Sequence, residues 1–151
     1  MARGRKRKPR AHKLLAGNPG KRPINHAEPQ YNAPKEYESP KWLDFTAQRM
    51  WNELAPKLVA TGVLKETDLH NLEVFCKAYS RWRLAEDEIK KYGITVLDNN
   101  NSLKKNPACT VANESLKQLD SFGAKLGLDP SNRTRLMGNT PDQKKNAFNE
   151  L

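Results

Sequence analysis

From Leu43 onward, apolar residues recur every three or four positions, in stretches punctuated by glycine, proline and asparagine. Leu43, Ala47, Met50, Trp51, Leu54 and Leu58 form the first stripe. The spacing predicts an amphipathic helix, capped by Ser39 ahead of Pro40 or by Asp44, interrupted or kinked near Pro56 and ended by Gly62. The next stripe, over residues 66–92, carries Leu69, Leu72, Phe75, Cys76, Tyr79, Trp82, Ala85 and Ile89, widened by Val74 and Ala78. So broad a face predicts a helix of about 40 Å buried against more than one neighbour, ending before Gly93. The period then changes. "ITVL", "DNNN" and "SLKK" (94–105) read as strand, turn and returning strand, a short hairpin. Asn106-Pro107 opens a third helix, with Ala108, Val111, Ala112, Ser115, Leu116, Leu119, Phe122 and Leu126 on one face and Gly127 as its stop. "DPSNRTRL" starts a short fourth helix, capped by Asp129 or Ser131. The predicted class is mainly α: a small domain of three to four helices, with a β-hairpin between the second and third main ones.

Ahead of Leu43 there is no such period beyond Leu14 and Leu15. Six of the ten prolines precede Lys41, and the segment reads as an extended arm and linker. The chain therefore divides into a disordered basic arm (1–25), a Pro-rich linker (26–39), a helical core and oligomerisation domain (40–137) and a polar tail (138–151).

Charge sharpens that division. Arg3, Arg5, Lys6, Arg7, Lys8, Arg10, Lys13, Lys21 and Arg22 place nine positive groups within positions 1–25, with no Asp or Glu among them. The remaining 18 Lys and Arg face all 17 acids, so the arm holds nearly all of the formal net charge of +10. Charge of one sign on a short segment attracts polyanions and keeps the segment extended. Fully stretched, such an arm reaches about 80 Å. Each Lys or Arg meeting a phosphate releases counterions, giving affinity that is independent of sequence and falls steeply with salt. Arg3-Gly4-Arg5 also has the form of a minor-groove insert.

The arm's "HKLLAGNPGKRP" (12–23) raises the question of a nucleotide-binding loop. A Walker-type loop needs two glycines five apart, then Lys and Ser or Thr, between a strand and a helix. Here Gly17 and Gly20 are three apart, Arg22 stands where the hydroxyl belongs, and Pro19 lacks an amide donor. ATP is not expected there. His12, His26 and His70 are scattered, and Cys76 and Cys109, far apart along the chain, have neither zinc nor disulfide spacing. Glu86, Asp87 and Glu88 precede Lys90 and Lys91 at helical spacing, as on a solvated ion-pair face. Nothing here supports an enzyme, a metal site or a cofactor. No window approaches 18 apolar residues and no apolar run follows the basic start, so a membrane span and a secretory signal are not expected, which points to the cytoplasm.

Trp51 and Trp82 lie on apolar stripes, where core packing is the ordinary reading. Yet three main helices have difficulty covering a stripe of about 40 Å from all sides. Trp51, Phe75, Tyr79 and Trp82 are therefore candidates for contact with a neighbouring subunit.

In their order and spacing these segments resemble the small terminase subunit of tailed double-stranded-DNA phages, in the family that opens with a basic "KLLxGNPxKR" arm. The residues that carry the likeness are "KLLAGNPGKR" (13–22), "PKWL" (40–43), "MWNELAPKLVATGVL" (50–64), Asp68, Leu72, "YG" (92–93), "NP" (106–107) and "FGAKLGLDPSNRTRL" (122–136). Two positions depart from the pattern: Lys65 stands where a Thr usually opens the long helix, leaving Thr67 to cap it, and Thr134 stands where an Ala usually separates two arginines. The resemblance implies a non-enzymatic component that forms ring-like homo-oligomers, binds the packaging initiation site of concatemeric phage DNA in the host cytoplasm, and presents it to the large terminase subunit, whose ATPase and nuclease do the chemistry. Linked avidity in a ring would turn weak arm contacts into a clamp. Lys104, Lys105, Arg133 and Arg135 are further candidates for DNA contact. Two other readings stand beside this one: a small RNA-binding module with a basic arm, although no aromatics interleave its cations, and an interaction protein whose tail docks an acidic partner.

Overall fold

The helix that opens the body is capped by Asp44, five residues later than a Ser39 cap would place it. A computed structural model describes residues 31–137, together with Lys13, Gly17, Lys21, Pro23 and Ile24 of the segment before them. Helix α1 spans Phe45–Ala60, and Asp44 Oδ1 accepts from the Ala47 amide at 3.1 Å. Leu43 precedes the helix and is buried all the same. The helix runs unbroken through Pro56. An interior proline forfeits one backbone bond and costs about 3 kcal/mol; here burial of Trp51, Ala55 and Leu58 on the inward face offsets it.

A 3-10 turn, Glu66–Asp68, leads into helix α2, Leu69–Tyr92. Thr67 does not cap it: neither the turn nor the helix has a side-chain cap bond. Helix α2 is the central element. Its Leu72, Cys76 and Ser80 recur at every fourth position and share a buried stripe, while Ala78 and Ala85, seven apart, form a second one. The first stripe faces α1, as the Ser80–Asp44 hydrogen bond shows. Helix α3, Pro107–Lys125, packs on α2 with equally small buried residues, Ala112, Ser115 and Gly123, the last of them standing against Phe75. Among the described residues the α2–α3 interface is the most extensive, that between α1 and α2 the next.

Strands β1, Thr95–Leu97, and β2, Leu103–Lys105, make the hairpin expected between α2 and α3. They pair antiparallel, Thr95 with Lys105, Val96 with Lys104 and Leu97 with Leu103. Asp98 closes the turn: its Oδ1 accepts from the amides of Asn100 and Ser102, and Asn101 adopts φ 60°, a value Asn tolerates. Asn106 caps α3 by accepting from the Ala108 amide, and its amide group donates to Gly93 O, tying the helix start to the end of α2. Asp129 caps helix α4, Pro130–Met137, accepting from the Asn132 amide at 2.8 Å. Between α3 and α4, Gly127 takes φ 65°, a left-handed conformation that glycine enters freely.

The core lies toward one end. Leu43, Ala47, Trp51, Ala55 and Leu58 pack with Leu64, Leu72, Cys76 and Leu126, joining α1 to the start of α2 and the end of α3. Incoming chain is fastened there as well: Pro34 is buried, the Glu66 amide donates to Asn32 O, and Trp51 Nε1 donates to Tyr37 O at 2.8 Å.

Candidate nucleic-acid interface

The body offers fewer free cations than its composition suggests. Of the four basic residues expected to reach DNA, two are occupied locally. The guanidinium of Arg133 donates from Nε to Gly127 O at 3.3 Å and from Nη2 to Leu128 O at 3.1 Å, so it holds the α3–α4 turn together. Lys104 Nζ stands 2.6 Å from Asp98 Oδ2 across the hairpin. That contact, with the amides of Ser102 and Asn100, holds the Asp98 carboxyl below its ordinary range. Lys105 is exposed, on the opposite face of the strand from Lys104. The side chain of Arg135 lies outside the described residues.

Of the nine basic groups at positions 1–25, Lys13 is half-buried and Lys21 exposed. Arg3, Arg5, Lys6, Arg7, Lys8, Arg10 and Arg22 lie outside the described residues, as do the tail beyond Met137 and most of the "KLLAGNPGKR" segment.

Helix α2 corrects another expectation. Among the described residues none of Glu86, Asp87 and Glu88 pairs with Lys90 or Lys91; Glu86 instead accepts from Trp82 Nε1 at 3.0 Å. Lys90 and Lys91 occupy the last turn, where the helix dipole favours cations, and Lys91 lies 4.8 Å from the ring centre of Tyr92. With Lys105 they give the hairpin end of the body three exposed positive charges. Sequence reading passed over these two lysines because helical spacing alone suggested acidic partners.

The aromatic candidates for subunit contact also sort themselves. Trp51 is 2% exposed and its surface is spent inside the chain, so it has none to offer a neighbour. Phe75 is half-buried against the core. Tyr79 and Trp82 are half-buried and meet edge to face at 5.8 Å. The large apolar groups that do face solvent are different ones: among the described residues Tyr31, Trp42, Phe45, Leu84, Tyr92, Ile94, Leu97 and Leu103 are each more than half exposed.

The strongest electrostatic junction in the body is structural. Asp44 Oδ2 meets Lys77 Nζ at 2.8 Å and Oδ1 accepts from Ser80 Oγ at 2.6 Å, besides capping α1. Partial burial pushes this carboxyl upward, but the Lys77 ammonium, the Ser80 hydroxyl and the Ala47 amide together outweigh that and hold it well below the usual carboxylate range. Cys76 shows burial acting unopposed, its thiol pushed up to about 12. Among the described residues no His, Cys, Asp and Glu side chains gather into a metal-holding group, and no helix is long and apolar enough to cross a membrane.

A helical body with a β-hairpin between its two longest helices is the frame on which the comparison with known families bears. Residues 47–143 match the model of one family, phage terminase, small subunit. The chain belongs to the phage terminase small subunit family. The match takes in all of α2, the hairpin and α3, and most of α1, so the terminase assignment rests on the folded body and is independent of the basic arm motif. No curated protein and no solved structure matches the chain. Membership places the protein in phage genome packaging.

Proposed function

We propose that the protein is the DNA-recognition component of its packaging machine, without catalysis of its own. It binds the packaging initiation site of concatemeric double-stranded phage DNA as a homo-oligomer, and presents that site to the large terminase subunit, whose activity it regulates. The observation that carries this reading is the match of residues 47–143 to the terminase small subunit family. The charge distribution supports it: nine cations without an acid in residues 1–25 suit a phosphate backbone, whereas the body's charges nearly cancel. Two of the body's candidate DNA contacts, Lys104 and Arg133, already have acceptors, which shifts the electrostatic work further toward the arm. The arm's phosphate contacts provide affinity; preference for one site then comes from base contacts or from bending of the duplex by an oligomer.

The test compares the full chain with a chain starting at Ala27, following binding to duplex DNA from low to high salt and, in parallel, ATP hydrolysis by the large subunit. Expected are tight binding with a steep negative dependence of log K on log salt for the full chain, a much shallower dependence without the arm, and ATPase stimulation by the full chain. Equal binding by both chains would overturn the role of the arm. Binding to RNA in preference to duplex DNA would favour the RNA-module reading.

A further inference from the structure

Charge is unevenly spread over the body. From Ile89 to Asn113 the chain carries four cations, Lys90, Lys91, Lys104 and Lys105, and one acid, Asp98. Positions 26–88 and 114–151 together hold 14 Lys and Arg against 16 Asp and Glu. The hairpin end is therefore the basic pole of a body that is otherwise slightly acidic. Its one acid is already occupied: Asp98 Oδ2 meets Lys104 Nζ at 2.6 Å, and Oδ1 accepts from the amides of Asn100 and Ser102. Lys90, Lys91 and Lys105 are exposed, and among the described residues they form no ion pair.

Between those lysines stands a two-stranded ribbon with a polar tip. Beyond the paired residues the turn presents Asn99, Asn100, Asn101 and Ser102, all exposed. Asp98 clamps this turn through backbone amides alone, so the side-chain amides of the three asparagines have no partner among the described residues. The base is fixed as well: Asn106 N donates to Ile94 O and Asn106 Nδ2 to Gly93 O, which ties the ribbon to the end of α2. A two-stranded ribbon is one of the backbone forms that fit the major groove of B-DNA, about 12 Å wide and 8.5 Å deep. Three strand residues span about 10 Å, so a tip at the groove floor leaves Lys105 and the last turn of α2 near the phosphates of the rim. The chemistry matches that placement. An Asn amide can bond adenine N6 and N7 together, and Lys neutralises phosphate. Leu97 and Leu103, cross-strand partners that face solvent, offer the apolar contact that thymine methyl groups take. An acidic protein surface would engage the lysines but give the unpartnered amides no comparable role.

We propose that this ribbon enters the major groove of duplex DNA, with Asn99 and Asn100 contacting base edges while Lys90, Lys91 and Lys105 hold the flanking phosphates. The proposal rests on the DNA-recognition reading of the preceding section and assigns its base-reading element, which phosphate contacts from the arm do not supply. Lys104 has a structural part: it holds Asp98, and through it the turn.

The test uses the full chain, arm included, and two variants, with two probes: a pool of random-sequence duplexes from which bound sequences are counted, and a single-stranded RNA of the same length. K90Q/K91Q/K105Q removes the flanking charges and keeps Lys104; N99A/N100A removes tip amides and keeps the Asp98 clamp, which uses only the Asn100 backbone. All five positions are exposed, and circular dichroism with thermal melting establishes that each variant folds. For the lysine variant the expected result is weaker binding across the whole pool, with a log K against log salt slope smaller by about 2–3 per engaged copy. For the asparagine variant it is an unchanged slope and an about tenfold loss of the parent's enrichment of adenine-containing sites. A slope that the lysine variant leaves unchanged would overturn the ribbon as a DNA contact while the arm's role stands. The same sequences enriched by parent and asparagine variant, or none enriched by the parent, would overturn base reading by the tip. Tighter binding of the RNA than of the duplexes, weakened by either variant, would assign the ribbon to RNA and overturn groove insertion. A full chain that binds no duplex at any salt would overturn the DNA-recognition reading itself.

Discussion

Ser80 Oγ donates to Asp44 Oδ1 across 2.6 Å, so the residue that caps α1 is also the one that fastens α1 to α2. Removing that carboxylate deletes an N-cap, leaves the buried Ser80 hydroxyl without its acceptor, and frees Lys77. Asp44→Ala is expected to cost about 2–3 kcal/mol, a cap plus a partly buried polar contact. Asp44→Ser, which retains a capping oxygen, should recover about 1 kcal/mol of this. Urea unfolding monitored by circular dichroism measures both.

The same group sets an acid dependence. Its carboxyl is depressed in the folded chain, so it contributes stability that is fully present above the unfolded value near 3.8 and is lost as pH falls toward the depressed one. Stability should hold from neutral pH to about 5 and then decline steeply below about 4. Asp44→Asn should be less stable at neutral pH and decline less over the acid range. The slope it retains comes from Asp98 and Asp129, which are also depressed. Thermal melting across pH 2.5–7 would show no difference in slope if Asp44 were ordinary.

Two glycine substitutions separate backbone strain from crowding. Gly62 and Gly127 have φ 70° and 65°. A Cβ on Gly62 meets nothing within 4 Å, whereas on Gly127 it would approach Leu136 Cδ1 to 2.9 Å. Gly62→Ala should cost about 1 kcal/mol from the left-handed backbone alone. Gly127→Ala should cost somewhat more, the excess staying under about 1 kcal/mol because Leu136 is exposed and can rotate away.

Arg133 distinguishes a structural cation from a DNA contact. Arg133→Ala removes donors to two backbone carbonyls and should lower stability by about 1 kcal/mol while leaving the salt dependence of DNA binding unchanged. A shallower salt slope without loss of stability would return Arg133 to the DNA-binding set.

The two thiols should differ in reactivity. Burial raises the Cys76 thiol to about 12, while Cys109 is only partly covered. At pH 8 a thiol reagent should label Cys109 in the folded chain and reach Cys76 only in denaturant, by at least a hundredfold in rate, roughly the scale of thiolate suppression. Peptide mass spectrometry after timed labelling reads both sites.

Much of this architecture is legible in one dimension because its determinants are local. The 3.6-residue stripes of α1 and α2, the Asn106-Pro107 cap, the asparagine-rich turn and the Gly127 stop each lie within a few residues of what they control. What escaped reading depends on partners far along the chain. The choice of Asp44 over Ser39 is made by Lys77 and Ser80, more than thirty positions away. Counting cations made Lys104 and Arg133 look free because a count sees neither Asp98 nor two backbone carbonyls. The aromatic stripe pointed to Trp51 as available surface, whereas Tyr37 supplies its acceptor and α2 covers it. Apolar residues that break the period, such as Phe45 and Leu84, drew no attention for that very reason.

Helix α2 is also a ruler. The strand of chain entering the body is pinned beside its first turn, where Glu66 binds Asn32 and Pro34 is buried, and the hairpin leaves from its last. The 24 residues between span about 36 Å. Tyr31 therefore joins the body beside one pole, and Leu97 and Leu103 stand at the other. The two ends of α2 thus carry unlike surfaces, incoming chain held by backbone at one and an exposed two-stranded ribbon at the other, so that a change at either need not disturb its opposite.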